Sequence, residues 1–221
     1  MARTRDPAVR TLLLERAAHM LRTREPLTLR SLVAGTGVST MAVYTYFDGM
    51  DGVWKALRQE GFTRLAARLT TVAASADPVR DLAALGAAYL RNALDDPDLY
   101  RVMFDATFEL QDPRAADETL YALVQAVERA KDAGRFRDDV DPLELATQSW
   151  IVGHGLASLT ATGPLPPETL AHGIPLLTAL FTSAGDAPDR CRRSVEHGWQ
   201  RLLQPSSTPS EQLRSRRDPH R

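Results

Sequence analysis

Residues 28–47 read TLRSLVAGTGVSTMAVYTYF, and this pattern predicts two short helices joined by a tight turn. Thr28 is a favourable N-cap for the first helix, and apolar residues spaced three and four apart follow it on one face. The apolar run stops at residues 35–37, Gly-Thr-Gly, where glycine can adopt the positive φ that a sharp reversal needs. Ser39 is placed to cap the second helix. The stretch therefore predicts a helix-turn-helix unit, whose second helix would face a DNA major groove.

The second helix presents an unusual surface for reading bases. Its outward side chains are Met41, Tyr44 and Thr45, with Thr40 in the first turn. None of them is Arg, Lys, Asn or Gln, the residues that make bidentate contacts with guanine or adenine. We therefore expect sequence to be read through methyl, aromatic and hydroxyl contacts and through DNA shape, while phosphate contacts elsewhere supply most of the affinity.

The run GVSTMAVYTYF at residues 37–47 resembles the DNA-binding region of TetR-family transcriptional regulators. The resemblance implies an N-terminal three-helix DNA-binding domain and a larger helical domain that dimerises and binds a small molecule. Met50 stands where the family usually has a lysine, which puts one phosphate contact in doubt. Thr28, Arg30, Tyr44 and Tyr46 would hold phosphates, and Thr40, Met41 and Thr45 would face bases. Together with Ser39 at the helix start, the expected DNA-binding residues are Thr28, Arg30, Ser39, Thr40, Met41, Tyr44, Thr45 and Tyr46.

Composition and charge are those of a globular protein with a basic N-terminal part. The 221 residues are 43% hydrophobic and 25% charged, without a run of about 20 apolar residues that could span a bilayer or a signal-peptide pattern. A single cysteine excludes an internal disulfide. Residues 1–47 carry seven arginines against three acidic residues, whereas residues 48–203 are net acidic. We expect a cytoplasmic protein in which only the basic part meets a polyanion.

The dipeptide Asp-Pro marks several expected helix starts, because Asp is a strong N-cap and Pro is tolerated at the first helical position. Before the predicted tail, it occurs at residues 6, 77, 96, 112 and 141. No alternating strand pattern is present, so the predicted class is all-α. The predicted helices are 7–23, 28–35, 39–46, 50–75, 78–94, 97–110, 113–133, 141–161, 167–182 and 188–203.

These elements divide the chain into three predicted parts. Residues 1–50 would form the helix-turn-helix domain, and residues 51–203 a larger helical bundle for ligand binding and dimerisation. Residues 204–221 are rich in Pro, Ser and Arg and are expected to be a disordered tail. Arg3 and Arg5 form a basic arm before the first helix, which can either reach a minor groove or stay solvated.

The predicted body carries many large apolar side chains, and each of them is either core or pocket lining. In the helix 141–161, Gly153 and Gly155 cost stability and suggest a close neighbouring helix. Residues 150–155 also resemble the Trp-His-Gly signature of one TetR-family C-terminal class. We expect this helix and 167–182, kinked at Pro175, to form half of a four-helix homodimer interface. The candidate pocket residues are Tyr89, Met103, Phe104, Phe108, Tyr121, Trp150 and His154.

No reactive motif favours an enzyme. The sequence lacks a Gly-x-Ser-x-Gly elbow, a P-loop and a His-Glu-x-x-His motif, and its five histidines are scattered, so we expect no metal and no cofactor. Arginines flanking Cys191 could lower the pKa of its thiol. We predict a homodimeric repressor that a small-molecule effector releases from a palindromic site in double-stranded DNA. The alternatives are a helical ligand-binding or scaffold protein that does not bind DNA and, less favoured, an all-helical enzyme.

Overall fold

A computed structural model gives the protein's structure and describes residues 6–203, with side chains to residue 200. This part of the chain contains helices and no strand, which confirms the all-α class. The predicted arm at Arg3 and Arg5 and the predicted tail at 204–221 lie outside the described residues. The helices are α1 (Pro7–Arg22), α2 (Leu29–Val33), α3 (Thr40–Phe47), α4 (Met50–Thr70), α5 (Pro78–Asp95), α6 (Pro97–Met103), α7 (Arg114–Asp132), α8 (Pro142–Ala161), a 3-10 helix (Pro167–His172), α9 (Gly173–Ser183) and α10 (Pro188–Leu203).

Most Asp-Pro pairs start helices as predicted. Four of these aspartates accept a backbone N–H in the first turn of their helix, and they are Asp6, Asp77, Asp96 and Asp141. Asp112 differs, because α7 begins two residues later and its carboxylate accepts the Arg114 N–H at 3.1 Å. Satisfying these otherwise unpaired donors fixes where each helix begins.

Three predicted helices end or divide differently. α4 stops at Thr70 rather than 75, and α6 stops at Met103 rather than 110. The predicted helix 167–182 is a 3-10 helix followed by α9. Pro175 is the third residue of α9, where a backbone N–H has no intrahelical partner. Proline therefore fits the first turn of a new helix, and the predicted kink within one continuous helix is wrong.

Two hydrophobic cores share α4. The head core joins α1, α2 and α3 to the first half of α4 and includes Leu13, Leu32 and Leu57. The body core joins the second half of α4 to α5–α10 and includes Phe62 and Leu65. We call these two parts of the molecule the head and the body. Because α4 belongs to both, the predicted division at residue 50 stays a prediction.

The face that α1 buries differs slightly from the one that helical spacing predicts. The predicted inward stripe consists of Val9, Leu12, Leu13, Arg16, Ala17, Met20 and Leu21. Leu12 is exposed, whereas Leu14 and Ala18 are buried. The predicted inner residues Leu13 and Met20 do lie in the head core. Residues 12–14 are all leucine, so spacing alone could not show which of them faces inward.

A buried arginine links three segments of the body that lie between helices. Arg135, only 2% exposed, donates to both carboxylate oxygens of Asp186 at 2.7 and 2.6 Å and to Asp77 at 2.7 Å. Burial alone would raise the pKa of Asp77, but hydrogen bonds from Ser194, the Arg80 amide and Arg135 outweigh it and hold that pKa below its usual value. The network ties the end of α7 to the starts of α5 and α10.

Replacing Arg135 should therefore destabilise the body strongly. Arg135→Met leaves the buried carboxylate of Asp186 without its cation, and we expect a loss of about 3–5 kcal/mol in the free energy of unfolding, measured with urea. Arg114→Met is the matched control, because Arg114 pairs with Asp112 on the exposed surface and should leave stability nearly unchanged. Equal effects of the two substitutions would contradict a structural role for the buried network.

Candidate nucleic-acid interface and ligand pocket

The turn between α2 and α3 has the predicted glycine geometry. Thr28 and Ser31 form a capping box, in which the Thr28 hydroxyl accepts the Ser31 N–H at 3.2 Å and the Ser31 hydroxyl accepts the Thr28 N–H at 2.9 Å. Gly35 and Gly37 adopt φ of 74° and 72°, values that favour glycine. The local sequence thus fixes the turn that orients α3.

α3 has one buried and one exposed face. Val43 and Phe47 are buried in the head core, whereas Met41 is 66% and Tyr44 is 51% exposed. Thr45 is exposed as well, and its hydroxyl donates to the Met41 carbonyl at 2.9 Å. Its lone pairs are therefore left for an outside donor, such as the amino group of a base. Met41 and Tyr44, three residues apart, therefore form one exposed and uncharged face of α3.

Two candidate phosphate ligands are exposed beside this face. Arg30 lies on α2, and Ser39 occupies the N-cap position of α3. The Ser39 hydroxyl makes no capping hydrogen bond, so the predicted cap is wrong in that respect. Thr40, the first residue of α3, is half-buried. An uncapped helix N-terminus with an exposed hydroxyl is a favourable place for a phosphate.

Tyr46 joins the start of α1 to α3. Its hydroxyl oxygen accepts the Asp6 backbone N–H at 2.9 Å, which leaves the phenolic proton available for an external acceptor. Arg10 of α1 lies over the Phe47 ring at 5.4 Å from its centroid. These contacts hold the beginning of the described chain next to the candidate DNA-binding helix.

The angle between α3 and α4 is fixed by a glycine that was not among the predicted residues. A Cβ on Gly52 would lie 1.4 Å from the Phe47 carbonyl oxygen, so only glycine allows the two helices to approach this closely. Met50, at the position of the family's usual lysine, packs against the head core instead of facing outward. The repeated Asp-Gly in residues 48–52, DGMDG, was the available signal.

The body encloses a small, mostly apolar cavity. Its volume is about 30 Å³, and side chains from six helices line it, among them Leu69, Leu85, Tyr89, Trp150, Leu177 and Trp199. Thr119 and Ser149, which were not among the predicted pocket residues, also line the cavity. The only sequence signal for Ser149 was its position four residues before Gly153, which places both on one face of α8.

Tyr89 also belongs to a polar cluster beside the cavity. Its hydroxyl lies 3.0 Å from the Tyr100 hydroxyl and 2.9 Å from His154 Nδ1, and the Tyr100 hydroxyl lies 2.8 Å from the same nitrogen. The Phe104 ring packs edge-on against His154 at 4.4 Å between centroids. Burial, together with the neighbouring Tyr100, raises the pKa of Tyr89. Burial lowers the pKa of His154, so its neutral form is favoured.

The structure separates the seven predicted pocket residues. Tyr89 and Trp150 line the cavity, and Phe104 and His154 lie in or against the adjoining cluster. Met103 is core. Phe108 stacks on Trp54 at 5.8 Å between centroids and does not line the cavity. Tyr121 is 57% exposed and does not line it either. Spacing along the sequence could not show which faces of six helices converge.

α8 and α9 both expose large apolar side chains. Ile151, Leu159 and Leu176 are all exposed, with Ile151 at 59%. A Cβ on Gly155, between Ile151 and Leu159, would meet no atom within 4 Å. Among the described residues, Gly155 therefore lacks the close neighbour that a glycine within a helix suggested. The close neighbour of Gly153 is Tyr89.

The surroundings of Cys191 disfavour the thiolate form of its side chain. It is fully buried, and burial raises its pKa to about 11 despite the three neighbouring arginines. The predicted lowering of its pKa is wrong, because those arginines are exposed while the sulfur points into the body core. Within residues 6–203, no helix has the length and apolar character that crossing a membrane requires.

The depressed pKa of His154 predicts a pH-dependent stability. Because protonation is less favourable in the folded protein, His154 stabilises the fold above about pH 6.5, and this contribution is lost as the pH falls through the folded-state pKa. We expect the melting temperature of His154→Gln to change less between about pH 6.5 and 5 than that of the original chain. His19→Gln, at an exposed position, is the control. Identical profiles for all three proteins would refute this role.

Comparison with known proteins finds a family model that matches part of the body and solved structures that share the fold. Residues 82–184 match the family model described as Tetracyclin repressor-like, C-terminal domain. No curated protein sequence gives a significant match.

Several solved structures share the fold over most of their length. A protein of unknown function from Rhodococcus sp. RHA1 is 26% identical, with 87% of this chain and 98% of that chain covered and a TM-score of 0.64. The TetR-family protein CprB from S. coelicolor A3(2) is 17% identical, with 90% and 100% covered and a TM-score of 0.64. RolR in complex with resorcinol is 15% identical, with 86% and 93% covered and a TM-score of 0.60. The chain is thus similar to the TetR family in the sequence of residues 82–184 and in its fold.

Proposed function

We propose that the chain is a TetR-family transcriptional regulator, a homodimeric repressor that a small molecule releases from a palindromic DNA operator. The observation that carries this proposal is the exposed apolar face of α3, with Met41 and Tyr44 in solvent on a helix-turn-helix. The match of residues 82–184 to a tetracycline repressor-like domain supports a regulatory body rather than an enzyme. The Trp-His-Gly class suggested by residues 150–155 remains part of the proposal.

In the proposed complex, α3 enters the major groove. Met41, Thr45 and the half-buried Thr40 would face base edges, with methyl groups contacting thymine and the Thr45 oxygen accepting from an amino group. The side chains around this face would contact phosphates and set the register on the duplex. They are Thr28, Arg30, Ser39, Tyr44 and Tyr46.

The exposed face of α8 and α9 is the proposed dimer interface. Ile151, Gly155 and Leu159 are four residues apart on α8 and therefore share one face, and Leu176 of α9 is exposed as well. Gly155 has open space around it, so a helix of a second copy could approach closely. A two-fold axis through this face would pair two α3 helices, as a palindromic operator requires.

The body cavity is the proposed effector site. Its volume of about 30 Å³ accommodates little more than a water molecule, whereas ligand pockets are typically about 300–1,000 Å³. An effector must therefore favour an expanded packing of the body. Leu69 of α4 lines this cavity, and Leu57 of the same helix lies in the head core. A ligand that binds the expanded state more tightly would shift the position of the head and weaken DNA binding. The resorcinol complex of RolR, which shares the fold, supports a small-molecule effector.

Arg30→Ala tests the DNA-binding role. If Arg30 contacts one phosphate, its removal should weaken binding to all sequences alike and reduce the slope of log K against log salt by about 0.9. Met41→Ala should instead change the preferred sequence, because Met41 faces bases. Gel shifts over a salt series, and selection of bound sequences from a random duplex pool, measure the two effects.

Arg114→Ala, an exposed arginine of the body, is the matched control and should change neither quantity. A protein that binds no duplex at low salt would overturn the proposed function. An Arg30→Ala variant with altered sequence preference and an unchanged salt slope would overturn the assignment of Arg30 to phosphate.

Ile151→Glu tests the dimer interface. A carboxylate at the centre of a buried apolar face would be desolvated without a partner, so we expect this variant to be a monomer and to lose affinity for a palindromic duplex. Sedimentation velocity measures the oligomeric state. Tyr121→Glu is the control, since Tyr121 is equally exposed but lies on α7. A monomeric original chain at micromolar concentration would refute the proposal, as would a dimeric Ile151→Glu variant.

A further inference from the structure

The wall of the body cavity is uncharged. None of the described residues that line it has a charged side chain. Their polar groups are the hydroxyls of Thr119 and Ser149, the Tyr89 hydroxyl, which is bonded within the cluster with Tyr100 and His154, and the indole N–H groups of Trp150 and Trp199. An ionised group placed there would lose its hydration without gaining a counter-charge, which costs several kcal/mol or more. The cavity therefore selects against both carboxylates and ammonium groups.

The hydroxyl groups of Thr119 and Ser149 have already used their protons. Thr119 Oγ1 donates to the Ala116 carbonyl at 2.6 Å, and Ser149 Oγ donates to the Leu145 carbonyl at 2.8 Å. A hydroxyl has one proton and two lone pairs, so what these groups still offer is acceptance. A ligand that donates a hydrogen bond can use these lone pairs, whereas one that only accepts finds no donor at either position.

A groove beside the cavity has a charge preference of its own. Leu69 and Leu85 line both the cavity and an open groove of about 670 Å³ between α4, α5 and α7. Four carboxylates and one arginine, Arg129, line the groove. Arg129 already pairs with Asp81 at 2.5 Å. The remaining carboxylates of the groove belong to Glu118, Glu128 and Asp132. Such a lining disfavours the approach of anions.

We infer that the effector is an uncharged, largely apolar molecule that donates a hydrogen bond, of the alcohol or phenol class, and that it enters between Leu69 and Leu85. The inference rests on the proposed function in calling this ligand an effector. Thr119 and Ser149 determine specificity by accepting the donated hydrogen bond. The apolar wall supplies the affinity.

Three probes of similar size test this assignment on the full chain. Phenol carries the donor, anisole replaces the proton by a methyl group, and benzoate adds a negative charge. Binding is measured by tryptophan fluorescence, because Trp150 and Trp199 line the cavity, and by calorimetry. We expect saturable binding of phenol and none of benzoate.

The decisive quantity is the ratio of phenol to anisole affinity. In the double variant Thr119→Val with Ser149→Ala, this ratio should fall about three- to tenfold, the effect of one hydrogen bond. Thr63→Val is the matched control, because Thr63 is also back-bonded to its own helix but is exposed on α4, away from the cavity. If the double variant does not fold by circular dichroism, the nearly isosteric Thr119→Val alone is measured instead.

Four results would overturn the assignment of ligand class: an unchanged ratio in the variant, an equal fall in the Thr63→Val control, tighter binding of benzoate than of phenol, or no saturable binding of any probe. Duplex binding is measured separately without a probe. A chain that binds phenol as expected but no DNA would overturn the proposed function while leaving the ligand class in place. The two failures are therefore distinguishable.

Discussion

The rest of the structure depends on one constraint, which is that α4 is buried in two hydrophobic cores at once. Leu57 lies in the head core, and Phe62, Leu65 and Leu69 lie in the body core. A 21-residue helix is about 30 Å long and resists bending, because its backbone hydrogen bonds are internal. Rearrangement at the Leu69 end therefore moves the other end, where Gly52 contacts the Phe47 carbonyl and fixes α3.

α6 and the segment after it make a second connection between head and body. Arg58 of α4 donates to the carbonyls of Met103, at 2.9 Å, and of Phe108. Leu99 of α6 lies in the head core itself. At the start of α6, the ion pair of Asp96 with Arg22 of α1 is partly exposed and contributes little to stability. The junction is therefore held mainly by buried apolar contacts and by the hydrogen bonds of one arginine.

In the proposed mechanism, the small volume of the cavity links ligand binding to a change in helix packing. Close-packed interiors do not deform continuously, so a ligand larger than the cavity must select another packing of the helices around it. Tyr89 belongs both to the cavity wall and to the cluster with Tyr100 and His154, against which Phe104 packs at the end of α6. Tyr89 therefore links the proposed effector site to α6 through Tyr100.

The sequence by itself determined the features that depend on few neighbouring residues. Gly35 and Gly37 set the turn before α3, and the Asp-Pro pairs set most helix starts, because a positive φ or an N-cap is satisfied within about four residues. The alternation of buried Val43 and Phe47 with exposed Met41 and Tyr44 also followed from helical spacing. The class of the fold and the candidate DNA-binding face could therefore be predicted.

Only the tertiary structure decided where distant segments meet. α6 ends at Met103, and Phe108 in the segment after it contacts Trp54 and Arg58 of α4. The tertiary structure places the candidate pocket residues Tyr89 and Trp150 in the cavity wall, and Phe108 and Tyr121 outside it. It also brings Thr119 and Ser149 to the same cavity. It buries Cys191 beneath arginines that remain in solvent. The physical reason is that burial and side-chain pairing depend on residues tens of positions apart, whose approach leaves no periodic trace in the sequence.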